Sequence, residues 1–200
     1  MNGLFFSLDT SAIARLGNQI SAAGAKAPLA LARAINHTGG KAKTQMVREL
    51  TKQTGLKRGV IFRALKPMNA SAGSLTYTIT SRGGNVSLKY FGARETRPGV
   101  SAAPWNRRQV YFGAFMKAGW WPKRVSKGNW HGQVFRRTGG VTKNARDGSS
   151  RKMDKFEKVR SGLFIPHEMV TGATAAAFHR EVEASLPGRL SHELGRVLGG

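Results

Sequence analysis

The sequence predicts an α+β fold, with N-terminal helices and a C-terminal helix flanking a mostly antiparallel β-sheet that carries a long mobile basic loop. Three observations predict it. Apolar residues recur at helical spacing towards both ends of the 200-residue chain. They alternate with period two through its middle, and a polar run at 139–162 holds few aliphatic residues.

From the N-terminus, "SAIARLGNQISAA" (11–23) places Ile13, Leu16 and Ile20 on one helical face, with Asp9, Thr10 and Ser11 available as caps. Pro28 suits a first helical position. The helix it opens runs to Thr54 with a stripe of Leu31, Ile35, Ala42, Met46 and Leu50. Gly39 and Gly40 interrupt this stripe. Two glycines in a helix interior cost ~2 kcal/mol relative to alanine, so the pair marks a kink or a close approach of another backbone, and both are candidate subunit contacts. Gly55 ends the helix. "LKRGVIFRAL" (56–65) follows as a short basic helix with Thr54 as cap and Pro67 beyond its end, completing a helical part at 1–66.

The β-rich part spans 74–138. "SLTYTITS" (74–81) alternates Leu75, Tyr77 and Ile79 with threonines, "RGGN" turns, and "VSLKYFG" (86–92) alternates again, which reads as an antiparallel hairpin. "RQVYFGAFMKA" (108–118) and "HGQVFRR" (131–137) are the next strands, joined by a tryptophan- and lysine-rich loop. Segment 139–162 reads as the mobile basic loop. A closing strand, "LFIPHEMV" (163–170), and a C-terminal helix interrupted at Pro187 fill 163–200. The whole length, 1–200, suits a single domain.

Charge is the dominant compositional feature. There are 33 Lys and Arg against 10 Asp and Glu, formally +23. Between Glu49 and Asp147 the one acid is Glu95. Such a field attracts polyanions, nucleic acid first among them, or acidic neighbours in an assembly. Cysteine is absent, which excludes disulfides, thiolate metal sites and a cysteine nucleophile. The first residues lack a basic n-region and read as no signal peptide, and no apolar run reaches the ~20 residues needed to cross a bilayer.

Catalytic patterns fail on inspection. "HEMVT" (167–171) and "HELGR" (192–196) begin the zinc motif H-E-x-x-H, but Thr171 and Arg196 stand where its second histidine belongs. The phosphate-loop pattern around Gly40-Lys41 has Ile35 for its first glycine and Ala42 for its hydroxyl residue. "GVSAA" (99–103) lacks the last glycine of a nucleophile elbow. The reading is of a protein that is not an enzyme and uses no cofactor or metal.

The stretch "GAFMKAGWWPKRVSKGNWHGQVFRR" (113–137) admits two readings. As a nucleic-acid surface, Trp120, Trp121 and Trp130 stack on bases while Lys117, Lys123, Arg124 and Lys127, with Arg136 and Arg137 beyond them, meet phosphates. As structure, Phe115, Trp121, Val134 and Phe135 fill a sheet face and the lysines solvate the loop. Tryptophans at a subunit or partner contact are a variant of the second reading.

The order of motifs also carries a resemblance. "ARAIN" (32–36) runs into "VRELTKQTGLKRGVIFRAL" (47–65), then a hairpin, "GAFMK", "WHGQVFRR", "LFIPHEM" and "SLPGRLSHELGRVL" (185–198). This arrangement, from about Ala27 to Leu198, resembles the prophage minor tail protein Z family of long-tailed phages, which act as tail completion proteins. The family's G-x-W-H-x-x-x-R run is approached by Gly128, Trp130, His131 and Arg136, with the arginine one place late. The resemblance implies a virion protein at the tail–head joint, assembled in the host cytoplasm as a homo-oligomeric, six-fold ring. Its implied partners are tail-tube or terminator proteins, head-connector proteins and the end of the packaged DNA, with no membrane. A free-standing basic nucleic-acid-binding protein is the alternative.

Overall fold

A computed structural model describes residues 2–7, 17–119, 121–141 and 154–199. The fold is α+β, with helices flanking antiparallel sheets. The chain divides into two compact units: Met1–Gln53, Lys57–Gly83 and Ile165–Gly200 form the first, and Thr54–Leu56 with Gly84–Phe164 form the second.

In the first unit, strand β1 (Asn2–Ser7) is followed by helix α1 (Gly17–Ala23) and by the long helix α2 (Ala27–Thr54). All five stripe residues of α2 are buried, with Ile35, Ala42, Met46 and Leu50 fully so. The helix stops where Gly55 turns left-handed at φ +76°, a conformation that costs a residue without Cβ little. Helix α3 (Arg58–Ala64) leads into strand β2 (Leu65–Met68), and strand β3 (Thr76–Ser81) lies between β1 and β2, antiparallel to both. Pro67 is tolerated because β2 is an edge strand, where a missing N–H breaks no ladder on the outer side.

Alternation in β3 turns Tyr77, Ile79 and Ser81 inward. The Tyr77 ring lies so close to α2 that a Cβ on Gly39 would stand 2.5 Å from it, whereas a Cβ on Gly40 would meet nothing. The α2 helix runs unbroken through both glycines. Gly39 is therefore buried against its own chain and is accounted for without a second subunit, and Gly40 is exposed. Asn36 fastens the turn beyond β2: its Nδ2 donates to the Ala70 carbonyl at 2.9 Å, and the Ala70 N–H donates to Asn36 Oδ1 at 2.7 Å.

The unit closes with helices α4 (Ile165–Glu168) and α5 (Gly172–Leu198). The expected strand at 163–170 is absent. Ile165 and Met169 are both buried at a spacing of four, Pro166 sits in the first turn, and the Met169 N–H donates to the Ile165 carbonyl at 3.0 Å. Helix α5 also continues unbroken through Pro187, where the sequence predicts an interruption. Phe178, Leu186, Leu190 and Leu194 keep one face in register across the proline. Burying each is worth ~1.5–3 kcal/mol, which outweighs the ~3 kcal/mol cost of a helical proline. Gln53 joins α2 to this end, its Nε2 donating to Glu168 Oε2 at 2.6 Å while Thr174 Oγ1 donates to Gln53 Oε1 at 3.0 Å.

The second unit contains two three-stranded sheets. Strands β4 (Arg94–Thr96), β5 (Gly99–Ala102) and β6 (Gln109–Phe112) form one. Strands β7 (Ala114–Phe115), β8 (Phe135–Val141) and β9 (Asp154–Lys158) form the other, all antiparallel. The predicted hairpin between 74–81 and 86–92 does not form. Both edges of β3 are taken by β1 and β2, and Leu88–Phe91 is instead a 3-10 turn ended by Gly92 at φ +62°. Val86 pairs further along the chain: its N–H donates to the Leu163 carbonyl at 2.9 Å, and the Ser161 N–H donates to the Val86 carbonyl at 2.9 Å.

The predicted loop at 139–162 is strand at both of its ends, since β8 reaches Val141 and β9 begins at Asp154. Residues 142–153, the rest of that predicted loop, lie outside the described residues, as do 11–16 of the first predicted helix. No described helix is long and apolar enough to cross a membrane.

Candidate nucleic-acid interface

Strand alternation on β8 builds the site. Phe135 is the cross-strand partner of Phe115, and Arg137 that of Phe156, so these four side chains share one face. Trp130 joins them from a 3-10 turn, Gly128–Trp130, that His131 and Gly132 end with left-handed backbone. Phe115, Trp130, Phe135 and Phe156 form a ring cluster with centroids 5.1–6.1 Å apart, tilted or edge-on. Aromatic quadrupoles favour such geometry. The Arg137 guanidinium caps the cluster 5.5 Å above the Phe115 centroid. Val134 and Phe135 are buried.

The loop from Met116 to Gln133 is braced from β4. Glu95, whose side chain is 6% exposed, accepts an ion-paired hydrogen bond from Arg124 Nη1 and a weaker one from the Met116 N–H at 3.4 Å. Ala118 and Val125 pair across the loop through two N–H···O bonds of 2.8 Å. Glu95 Oε2 and Arg124 Nε are both buried without a partner.

Between the ring cluster, the β4–β5 turn and this loop lies a cleft of about 750 Å³. Arg97, Lys117, Arg124 and Arg137 line it, together with the rings of Phe115, Trp130 and Phe156. Among the described residues, no acidic side chain lines it. A smaller recess of about 310 Å³ adjoins Lys117 on the side of Glu95 and Lys127. The cleft can hold an anion with a planar or apolar part, because cations and ring surface meet in one concavity.

The residues named from sequence separate into two groups. Lys117, Arg124, Trp130 and Arg137 come together at the cleft. Arg124 is committed to Glu95 and so differs from the unpaired phosphate contact its sequence position suggests. Trp121, 49% exposed, takes no part in the ring cluster or the sheet face it was expected to fill. Lys123 is exposed in the loop, and Lys127 is exposed at the smaller recess. Arg136 occupies the opposite sheet face, with Glu157 as its cross-strand partner. Trp120 lies outside the described residues. Sequence reasoning missed Arg97, which sits in an unassigned stretch, and Phe156, which sits within the predicted loop. The alternation of "DKFEK" is the one signal that points to a strand there.

No family model matches this chain, and comparison with curated proteins and with solved structures likewise finds no match.

Proposed function

We propose that the protein is a structural virion component that completes the top of a phage tail at the head–tail joint, as a ring of identical subunits that docks to the DNA-filled head. The likeness of its motif order to the minor tail protein Z family first suggests this. The structural observation that carries it is apolar side chains left in the open on edge strands and in one loop. Phe112, 70% exposed, stands on edge strand β6, Met68 on edge strand β2, and Val125 in the loop before β8. Edge strands with exposed apolar residues invite pairing with a neighbour, and natural proteins leave them so where a neighbour exists. In this reading the excess positive charge faces the DNA end or acidic joint proteins.

A second reading, a free-standing nucleic-acid-binding protein, is favoured by the cation-lined cleft. Negative-stain images and sedimentation of the purified protein, alone and mixed with tails lacking it, separate the two. Rings or capped tails support the virion role. A monomer that binds DNA and leaves tails uncapped overturns it.

A further inference from the structure

We infer that the cleft of the second unit is a binding site for an unpaired nucleic-acid strand, with phosphates on Arg97 and Lys117 and a base against the rings of Phe156 and Trp130. This goes beyond the tail-joint reading and holds whether or not the chain belongs to a virion.

Three features select the ligand. First, the cations converge on a concave wall that no described acid enters, and Glu95 has already neutralised Arg124 within that wall. The ligand is therefore an anion with more than one charge, met by Arg97 and Lys117. Second, the wall between those cations is aromatic, and Phe156 remains 42% exposed even though it packs in the ring cluster. A phosphodiester strand with splayed bases supplies charge and flat apolar surface at the spacing of one residue, and base–aromatic stacking tolerates any sequence. Duplex DNA offers its phosphates but keeps its bases stacked away from the rings, and an acidic peptide offers charge without a flat face. Third, the wall is preorganised. The buried Glu95–Arg124 pair holds the loop that carries Lys117, and the ring cluster fixes Arg137 above Phe115. Preorganised groups lose less freedom on binding.

The test must separate a site from the general attraction of a strongly basic protein. Fluorescence anisotropy of a labelled oligothymidylate, within the ~4–16 nucleotide span of single-strand sites, is measured across a salt series. Arg97→Glu with Lys117→Glu is compared with Arg33→Glu and Lys41→Glu, exposed positions on α2 that change the net charge equally. The cleft pair should lower the slope of log affinity against log salt by about 0.7 for each phosphate that is no longer neutralised, and the α2 pair should leave it near the parent value. Phe156→Leu keeps an apolar side chain but removes the ring. It should weaken single-strand binding about 5-fold or more and leave binding of a duplex of equal charge unchanged.

Equal losses from the two reversals would reduce the cleft to generic charge and overturn the inference. Polyglutamate bound in the cleft with the same variant pattern would assign it to an acidic protein partner and also overturn it, as would duplex DNA showing the same dependence on Phe156. Should Phe156→Leu lose its thermal transition, the paired reversals decide alone. Ring formation and tail capping are read independently, so either proposal can fail without the other.

Discussion

The two units are held together by different means. The first is organised by long helices, α2 and α5, whose apolar faces bury Ile35, Met46, Leu50, Phe178 and Leu190 almost completely. The second depends on short strands, left-handed turns, a ring cluster and the Glu95–Arg124 ion pair. Periodic burial spreads stability over many equivalent contacts. The second unit concentrates it in a few unlike ones, and those same contacts shape the cleft. A core built from repeats serves as scaffold, whereas a core built from single contacts can also position cations and rings.

The largest expected effect tests the scaffold. Phe178→Ala empties a fully buried site on α5 and should cost ~3–5 kcal/mol in chemical denaturation. A loss below ~1 kcal/mol would mean that the helical core collapses around the gap and is looser than its burial indicates. Next is the braced loop. Glu95→Gln leaves Arg124 without its counter-charge, and because the arginine is 21% exposed the loss should fall below the ~3–5 kcal/mol of a fully buried pair. Replacing both partners, Glu95→Gln with Arg124→Met, should recover much of it, and failure to recover would show that the pair does more than offset its own desolvation.

Adjacent glycines sharpen the comparison within a single helix. Gly39→Ala drives a methyl into the Tyr77 ring and should destabilise by ~1–3 kcal/mol. Gly40→Ala meets open space and should stabilise by ~0.8–1 kcal/mol through helix propensity alone. Thermal melts of the two variants shifting in the same direction would refute the close approach of β3 to α2. Trp121→Ala should change stability by no more than ~0.5 kcal/mol, since the side chain packs in neither core.

The smallest effect concerns pH. Desolvation, followed by the positive charges of Arg189 and Lys41, holds His37 below the ordinary histidine value. The folded state therefore binds fewer protons there than the unfolded chain. Its small contribution is intact above the unfolded value near 6.5 and is lost as pH falls from there through the lower folded value. His37→Gln should flatten this part of a stability–pH curve, and an unaltered curve would remove His37 from the account.

What the sequence determined by itself is local and repetitive. The period of α2, the alternation of Tyr77 and Ile79 in β3, the stop at Gly55 and the positive charge all follow from neighbours in the chain. Each is fixed by residues within one or two turns of itself, so periodicity suffices to read it. Tertiary structure decided which strands pair, because an alternating segment such as 86–92 carries no label for its partner and takes 161–163 once β1 and β2 have filled the edges of β3. It made 165–168 helical by burying Ile165 with Met169, and it carried α5 through Pro187 by keeping one apolar face continuous. It also made the cleft. Arg97, Arg137 and Phe156 are far apart in sequence, and only the folding of β4, β8 and β9 brings their charge and ring surface together.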